Sequence, residues 1–126
     1  MKLAIFTITA LFTLSAYATE PMLQATPYKV VKEALGKGEP HFVELGSDMC
    51  HSCQIMGKML YKMKKKYPTF KIEFINVREE RVAAKLFKIQ MIPTQLILNA
   101  TGKEVYRHIG VLESEEIEKL LRRYNF

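Results

Sequence analysis

The chain has 126 residues, enough for one compact core and too few for two. Its 19 Lys and Arg outnumber 13 Asp and Glu, giving a formal charge of +6, and the positives gather in Lys58, Lys62, Lys64, Lys65, Lys66 and Lys71. Helical spacing puts most of these opposite an apolar stripe, so they read first as a solvated face and second as a docking surface for acidic partners or anionic lipid heads.

In chain order, residues 1–18 come first and carry the pattern of an export signal. Lys2 is a minimal charged region, Leu3 to Leu14 is apolar, and Ser15-Ala16-Tyr17-Ala18 closes with a small-residue cleavage pattern. The alternative is a retained membrane anchor, but the run is shorter than the ~20 residues a spanning helix needs. This predicts a cleaved signal peptide over 1–18, a mature domain over 19–126 and, from the style of the signal, a periplasmic location. Nucleic acid is then not an expected partner.

Residues 19–27 read as an irregular lead-in with a short edge strand at most. Tyr28 to Leu35 has helical spacing, and Gly36-Lys37-Gly38-Glu39-Pro40 stops it. A strand follows over about 41–46, then a short loop and a helix over about 51–66, which ends before Pro68. That helix carries Ile55, Met56, Met59, Leu60 and Met63 as its stripe. Phe70 to Val77 reads as a strand, Glu79 to Phe87 as a helix with Val82, Ala83, Leu86 and Phe87 apolar, and Thr94 to Leu98 as a strand. Asn99-Ala100-Thr101-Gly102 turns the chain into a hairpin whose second strand is Lys103 to Ile109. Ser114 is the expected N-cap of a last helix, in which Ile117, Leu120, Leu121 and Tyr124 form one stripe. The order predicts an α/β fold: a right-handed parallel strand–helix–strand half, a hairpin half in the same sheet, and helices on both faces.

The only two cysteines, Cys50 and Cys53, are spaced C-x-x-C between the first strand and the second helix. The first helical N–H groups have no partner within the helix, and the dipole is positive there. A thiolate at Cys50 is therefore stabilised and becomes a better nucleophile. Cys53, one turn further, can attack a mixed disulfide formed at Cys50. A zinc site is the first alternative, but structural zinc takes four ligands, and only His41, His51 and His108 are on hand to complete the set. Gln54 stands where a c-type haem attachment needs His. A purely structural disulfide would close a very small loop and constrain the unfolded chain little. Dithiol–disulfide exchange is the reading the spacing favours, with no metal and no cofactor.

Taken together, Phe42-Val43-Glu44-Leu45, Cys50-His51-Ser52-Cys53, Ile92-Pro93-Thr94, the Gly102 turn and Gly110 resemble the thioredoxin superfamily over roughly residues 28–124. With the export signal, the chain looks like a periplasmic thiol–disulfide interchange protein. The resemblance implies a thioredoxin fold, with a central mixed sheet flanked by helices on both faces. It also implies a cis bond at Ile92–Pro93, with the Ile92 backbone free to pair with an extended substrate segment. Met49 and His51, beside the cysteines, fall on the substrate-facing surface by the same likeness. Glu44 matches a buried acid that moves protons to and from the second cysteine, and burial would raise its pKa toward neutrality. Three departures stand out: Met49 replaces the usual Trp, the chain has no Trp at all, and His51-Ser52 replaces Gly-Pro. A charged His51 close to Cys50 would favour its thiolate, whereas Asp48 would oppose it if close.

The expected function is reduction or exchange of disulfides in exported proteins, with electrons from a membrane thiol transporter. Disulfide-bearing or dithiol exported proteins, including apocytochrome c, are the expected partners, and the chain is expected to act as a monomer. Disulfide donation or isomerisation runs the same chemistry another way. A non-catalytic binding module on the same fold is the alternative of another class, and the intact cysteine pair argues against it.

Overall fold

The computed structural model describes residues 19–126. The signal-peptide reading of residues 1–18 lies outside the described residues. The elements are α1 (Tyr28–Ala34), β1 (His41–Gly46), α2 (His51–Lys66), β2 (Lys71–Asn76), α3 (Arg81–Leu86), β3 (Thr94–Leu98), β4 (Glu104–Ile109) and α4 (Ser114–Arg123). They form one four-stranded sheet in the order β2-β1-β3-β4. β1 runs parallel to β2 and antiparallel to β3, and β4 is antiparallel to β3. This is the mixed sheet that the element order predicts.

The period of two along each strand sorts the core into two layers. Phe42, Ile72 and Ile97 face α2 and α4 and pack with Met56, Leu60, Met63, Ile117, Leu120 and Leu121. Val43, Leu45, Ile75, Leu96 and Leu98 face the other way, toward Val31 of α1 and Ala83 of α3. β1 is buried along its whole length because it is covered on both faces and flanked on both edges. Each fully buried Leu, Ile or Phe contributes roughly 1.5–3 kcal/mol by leaving water.

The helices differ from the sequence reading in detail. Ile55 of α2 and Val82 and Leu86 of α3 were expected on apolar stripes, and all three are exposed. α3 is only six residues long and buries Ala83 alone, so its remaining apolar residues have no layer to reach. The N-cap of α4 is Glu113, not Ser114. Its carboxylate accepts from the backbone of Glu116, and the Glu116 carboxylate accepts the Glu113 N–H at 3.2 Å, a reciprocal capping box.

The lead-in is a strap rather than a loose tail. Leu23 N–H donates to the Gly57 carbonyl of α2 at 2.9 Å, and Thr26 N–H donates to Phe74 of β2 at 2.7 Å. Ala25 makes a single parallel bridge to Phe74, the trace of the expected edge strand. Gly57 permits the crossing, since a Cβ there would stand 2.6 Å from Met22 Cε. Among the described residues no helix is long and apolar enough to cross a membrane.

Candidate active site

β1 ends at Gly46, and four residues carry the chain into α2. Ser47 is buried; its carbonyl accepts the Cys50 N–H at 3.3 Å, and its Oγ accepts the Met49 N–H at 3.1 Å. Gln54 Nε2 donates back to the Asp48 carbonyl at 2.8 Å. Asp48 Oδ1 accepts from Asn76 Nδ2 at 3.2 Å, so the exposed Asp48 is tied to the end of β2. Backbone turn, helix start and neighbouring strand thus fasten the loop on three sides.

Cys50 is the N-cap of α2. Its Sγ accepts the Cys53 N–H at 3.4 Å, the place a Ser or Asp oxygen takes in an ordinary cap. Here sulfur satisfies one of the unpaired N–H groups of the first turn, and a thiolate accepts such a bond better than a thiol. Cys50 is half-buried, Cys53 is 2% exposed, and both are free thiols. The outer sulfur is open to attack or be attacked, and the inner one is reached only from Cys50 and the sheet.

Burial pushes the Cys53 thiol up to about 12, with the Cys50 thiol and the Glu44 charge adding to the rise and the Ser47 backbone pulling partly back. Cys53 therefore keeps its proton at neutral pH unless a base takes it. The buried acid beside it is Glu44. It is 1% exposed, and neither carboxyl oxygen has a hydrogen-bond partner. Burial pushes its carboxyl up to about 8; Gln95 pulls it down in part, and charge on Cys50 raises it further. The Gln95 amide is already bonded to the Gly110 carbonyl and to His108, at 2.8 and 2.7 Å, so its influence on Glu44 is that of a nearby dipole rather than a well-formed hydrogen bond.

Gly46 lets the two groups converge. A Cβ at Gly46 would lie 3.0 Å from Cys53 Sγ and 3.5 Å from Glu44 Oε1, so thiol and carboxyl flank the same space. Any side chain there would press into the inner cysteine.

The Ile92–Pro93 bond is cis. The register pairs Thr94 with Leu45, so this bond lies at the end of the sheet from which the cysteine loop leaves. Pro93 is buried and Ile92 half-buried. Met49 is 73% exposed and His51 stands exposed on the first residue of α2. The histidines outside the loop are engaged elsewhere: His41 Nδ1 lies 2.7 Å from Glu73 and His108 Nδ1 lies 2.7 Å from Gln95. Among the described residues no group of three or more His, Cys, Asp and Glu side chains is placed to hold a metal.

Sequence reasoning brings Cys50, Cys53 and Glu44 together, misses Gly46, Ser47, Asn76 and Gln95, and considers His108 only as a zinc ligand. One signal was available. Gln95 interrupts an apolar strand just as Glu44 does, and a polar residue in a central strand asks for a partner.

Comparison with known proteins agrees with this geometry. The family model described as a thioredoxin-like domain matches residues 27–125. Thioredoxin of Mycoplasma pneumoniae is 26% identical over 93 residues, covering 74% of this chain and 90% of the relative. The crystal structure of thioredoxin NaTrxh from Nicotiana alata superposes with a TM-score of 0.68 at 26% identity, over 77% of this chain and 84% of that one. Fasciola hepatica thioredoxin has the same fold, with a TM-score of 0.66 at 21% identity over 78% and 90% of the two chains. A family match over nearly all the described residues, a mixed sheet with helices on both faces and a C-x-x-C pair capping α2 agree, and the chain belongs to the thioredoxin superfamily.

Proposed function

We propose that the chain is an exported thiol–disulfide oxidoreductase that reduces or exchanges disulfides in periplasmic proteins, with Cys50 as nucleophile and Cys53 as resolving cysteine. One observation carries the reading: the half-buried Cys50 caps α2, and the buried Cys53 sits one turn inside it, beside a buried acid. The Cys50 thiolate attacks one sulfur of a substrate disulfide. A mixed disulfide forms, and the second substrate sulfur leaves as a thiolate and takes a proton from solvent. Glu44, as carboxylate, accepts the Cys53 proton, and the Cys53 thiolate attacks Cys50 Sγ. The Cys50–Cys53 disulfide forms, and the first substrate sulfur leaves and is protonated. Two electrons have passed to the substrate. A membrane thiol transporter on the outer side of the cytoplasmic membrane restores the dithiol, since an exported protein has no direct access to cytosolic reductant. Ile92 and Pro93, with Met49 and His51 across the loop, form the surface that meets the substrate chain. Residues 1–18 direct export and are removed after Ala18.

Two experiments test this. Cys53→Ser, made with its own N-terminal segment, should accumulate mixed disulfides with exported proteins through Cys50. Trapping that needs Cys53 and survives Cys50→Ser would reverse the roles. Titration against glutathione should give a potential nearer the thioredoxin value of about −270 mV than the strong-oxidase value of about −120 mV. A potential at the oxidising end would make the protein a disulfide donor.

A further inference from the structure

The sheet carries a polar row that crosses three strands. Glu44 of β1 stands opposite Gln95 of β3, and Gln95 stands opposite His108 of β4. Residues directly opposite on antiparallel strands share a face, so the three side chains form a line that begins at the cysteine pair and ends near the surface. Gln95 is fully buried and His108 half-buried. The row lies on the same face as Phe42, beneath α2 and α4.

Hydrogen-bond chemistry fixes the direction of the row. The Gly110 carbonyl can only accept, so the Gln95 atom 2.8 Å from it is Nε2, a donor. The other amide atom is then Oε1, and it faces His108 Nδ1 at 2.7 Å. An amide oxygen can only accept, so His108 Nδ1 must carry a hydrogen. His108 and Gly110 together allow the amide a single orientation. One of the two Nε2 hydrogens is used on Gly110, and the other remains. Glu44, next in the row, has two buried oxygens and no partner for either. Gly110 is held from its other side too, since its N–H donates to the Pro93 carbonyl at 2.9 Å.

We propose that His108 and Gln95 are positioning residues of the dithiol site: His108 locks the Gln95 amide so that an N–H, and not the amide oxygen, is the dipole offered to Glu44. The proposal rests on the thiol–disulfide reading of Cys50, Cys53 and Glu44 for its purpose, though not for its test. Its effect is on proton affinity. An N–H dipole favours the carboxylate form of Glu44, the form that can take the Cys53 proton. Without the His108 donor Oε1 loses its partner, only the Gly110 carbonyl still opposes rotation, and a turned amide would offer its oxygen and hold Glu44 protonated. The other titratable groups facing Glu44 are Cys50 and Cys53 from α2. β2 presents Phe74 opposite Glu44, and the acids at the start of α4, Glu113, Glu115 and Glu116, are exposed.

The test follows the Glu44 side-chain carboxyl by carbon-13 NMR against pH in the reduced full domain. His108→Leu, which removes one of the two partners that hold the amide, should raise the proton affinity of Glu44 by about three- to tenfold, the size expected for losing one imperfect hydrogen bond to a charged group. His108→Asn, whose Nδ2 can stand in for Nδ1–H, should restore the wild-type midpoint. A Glu44 midpoint unchanged in His108→Leu, or raised equally in His108→Asn, would overturn the proposal. A measurement on the unmutated protein keeps it falsifiable if His108→Leu does not fold: nitrogen-15 shifts of neutral His108 should show the Nδ1–H tautomer, and the Nε2–H tautomer would refute the lock. The titration needs no turnover. A protein that shows the shift but exchanges no disulfide retains this inference and loses the proposed function. One that exchanges disulfides without the shift does the reverse.

Discussion

Glu44 shows how much one buried side chain can decide. Its carboxyl is pushed from the ordinary 4.5 up to about 8 by burial. The folded chain therefore binds more protons than the unfolded chain between those two values. Stability from this group is complete below pH 4.5, declines as pH rises through about 8, and is lost above. A difference of that size corresponds to at most about 4–5 kcal/mol. Glu44→Gln is uncharged throughout, so its urea midpoint should stay level between pH 5 and 9 while the wild-type midpoint falls. If the two proteins run parallel across that window, the carboxyl is not buried as a titrating group. In the proposed mechanism the same substitution removes the base for Cys53. It should slow resolution of the mixed disulfide by about 10²-fold, measured in a quenched single turnover, and leave the first attack by Cys50 nearly unchanged.

At the scale of elements, two helix starts carry different duties. α2 begins on a cysteine whose sulfur does the capping, so the residue that starts the helix is also the proposed nucleophile. α4 begins on a purely structural cap. Glu113→Ala removes one half of its capping box and should cost about 1 kcal/mol. Ser114→Ala, at the position the sequence pattern favoured, should change stability by no more than about 0.5 kcal/mol. Denaturant midpoints of the two variants separate the assignments, and a larger loss at Ser114 would restore the sequence-based one. The strap over Gly57 and Phe74 ties the lead-in to α2 and β2.

For the whole molecule, the sheet carries a packed apolar layer on each face, and these layers supply the core of a small domain. Both apolar clusters close around β1, and neither uses the cysteines as a staple. Anaerobically purified protein should therefore hold no stoichiometric zinc, and its circular dichroism should be unchanged by a strong chelator. Zinc at one equivalent, with loss of fold on chelation, would overturn this. The lysines of α2 fit the solvated-face reading in part: Lys62 pairs with Glu20, and Lys66 pairs with Glu118.

Local pattern alone determined a good deal about this protein. The element order, the C-x-x-C pair at a helix start and the odd charge in a central strand are all set by neighbours a few residues apart, through periodicity, turn chemistry and spacing. Only the tertiary structure decided which polar residues join Glu44. Gln95 is 51 residues from it in the chain and His108 a further 13, and they meet only because β3 lies between β1 and β4 in a definite register. The exposure of Ile55, Val82 and Leu86 was hidden for the same reason, since an apolar stripe states a preference and the opposing layer decides whether it is met. Gly46 makes the point at a single atom. In the sequence it is a residue before a loop; in the fold it is the absent Cβ that leaves room for a thiol and a carboxyl to face each other.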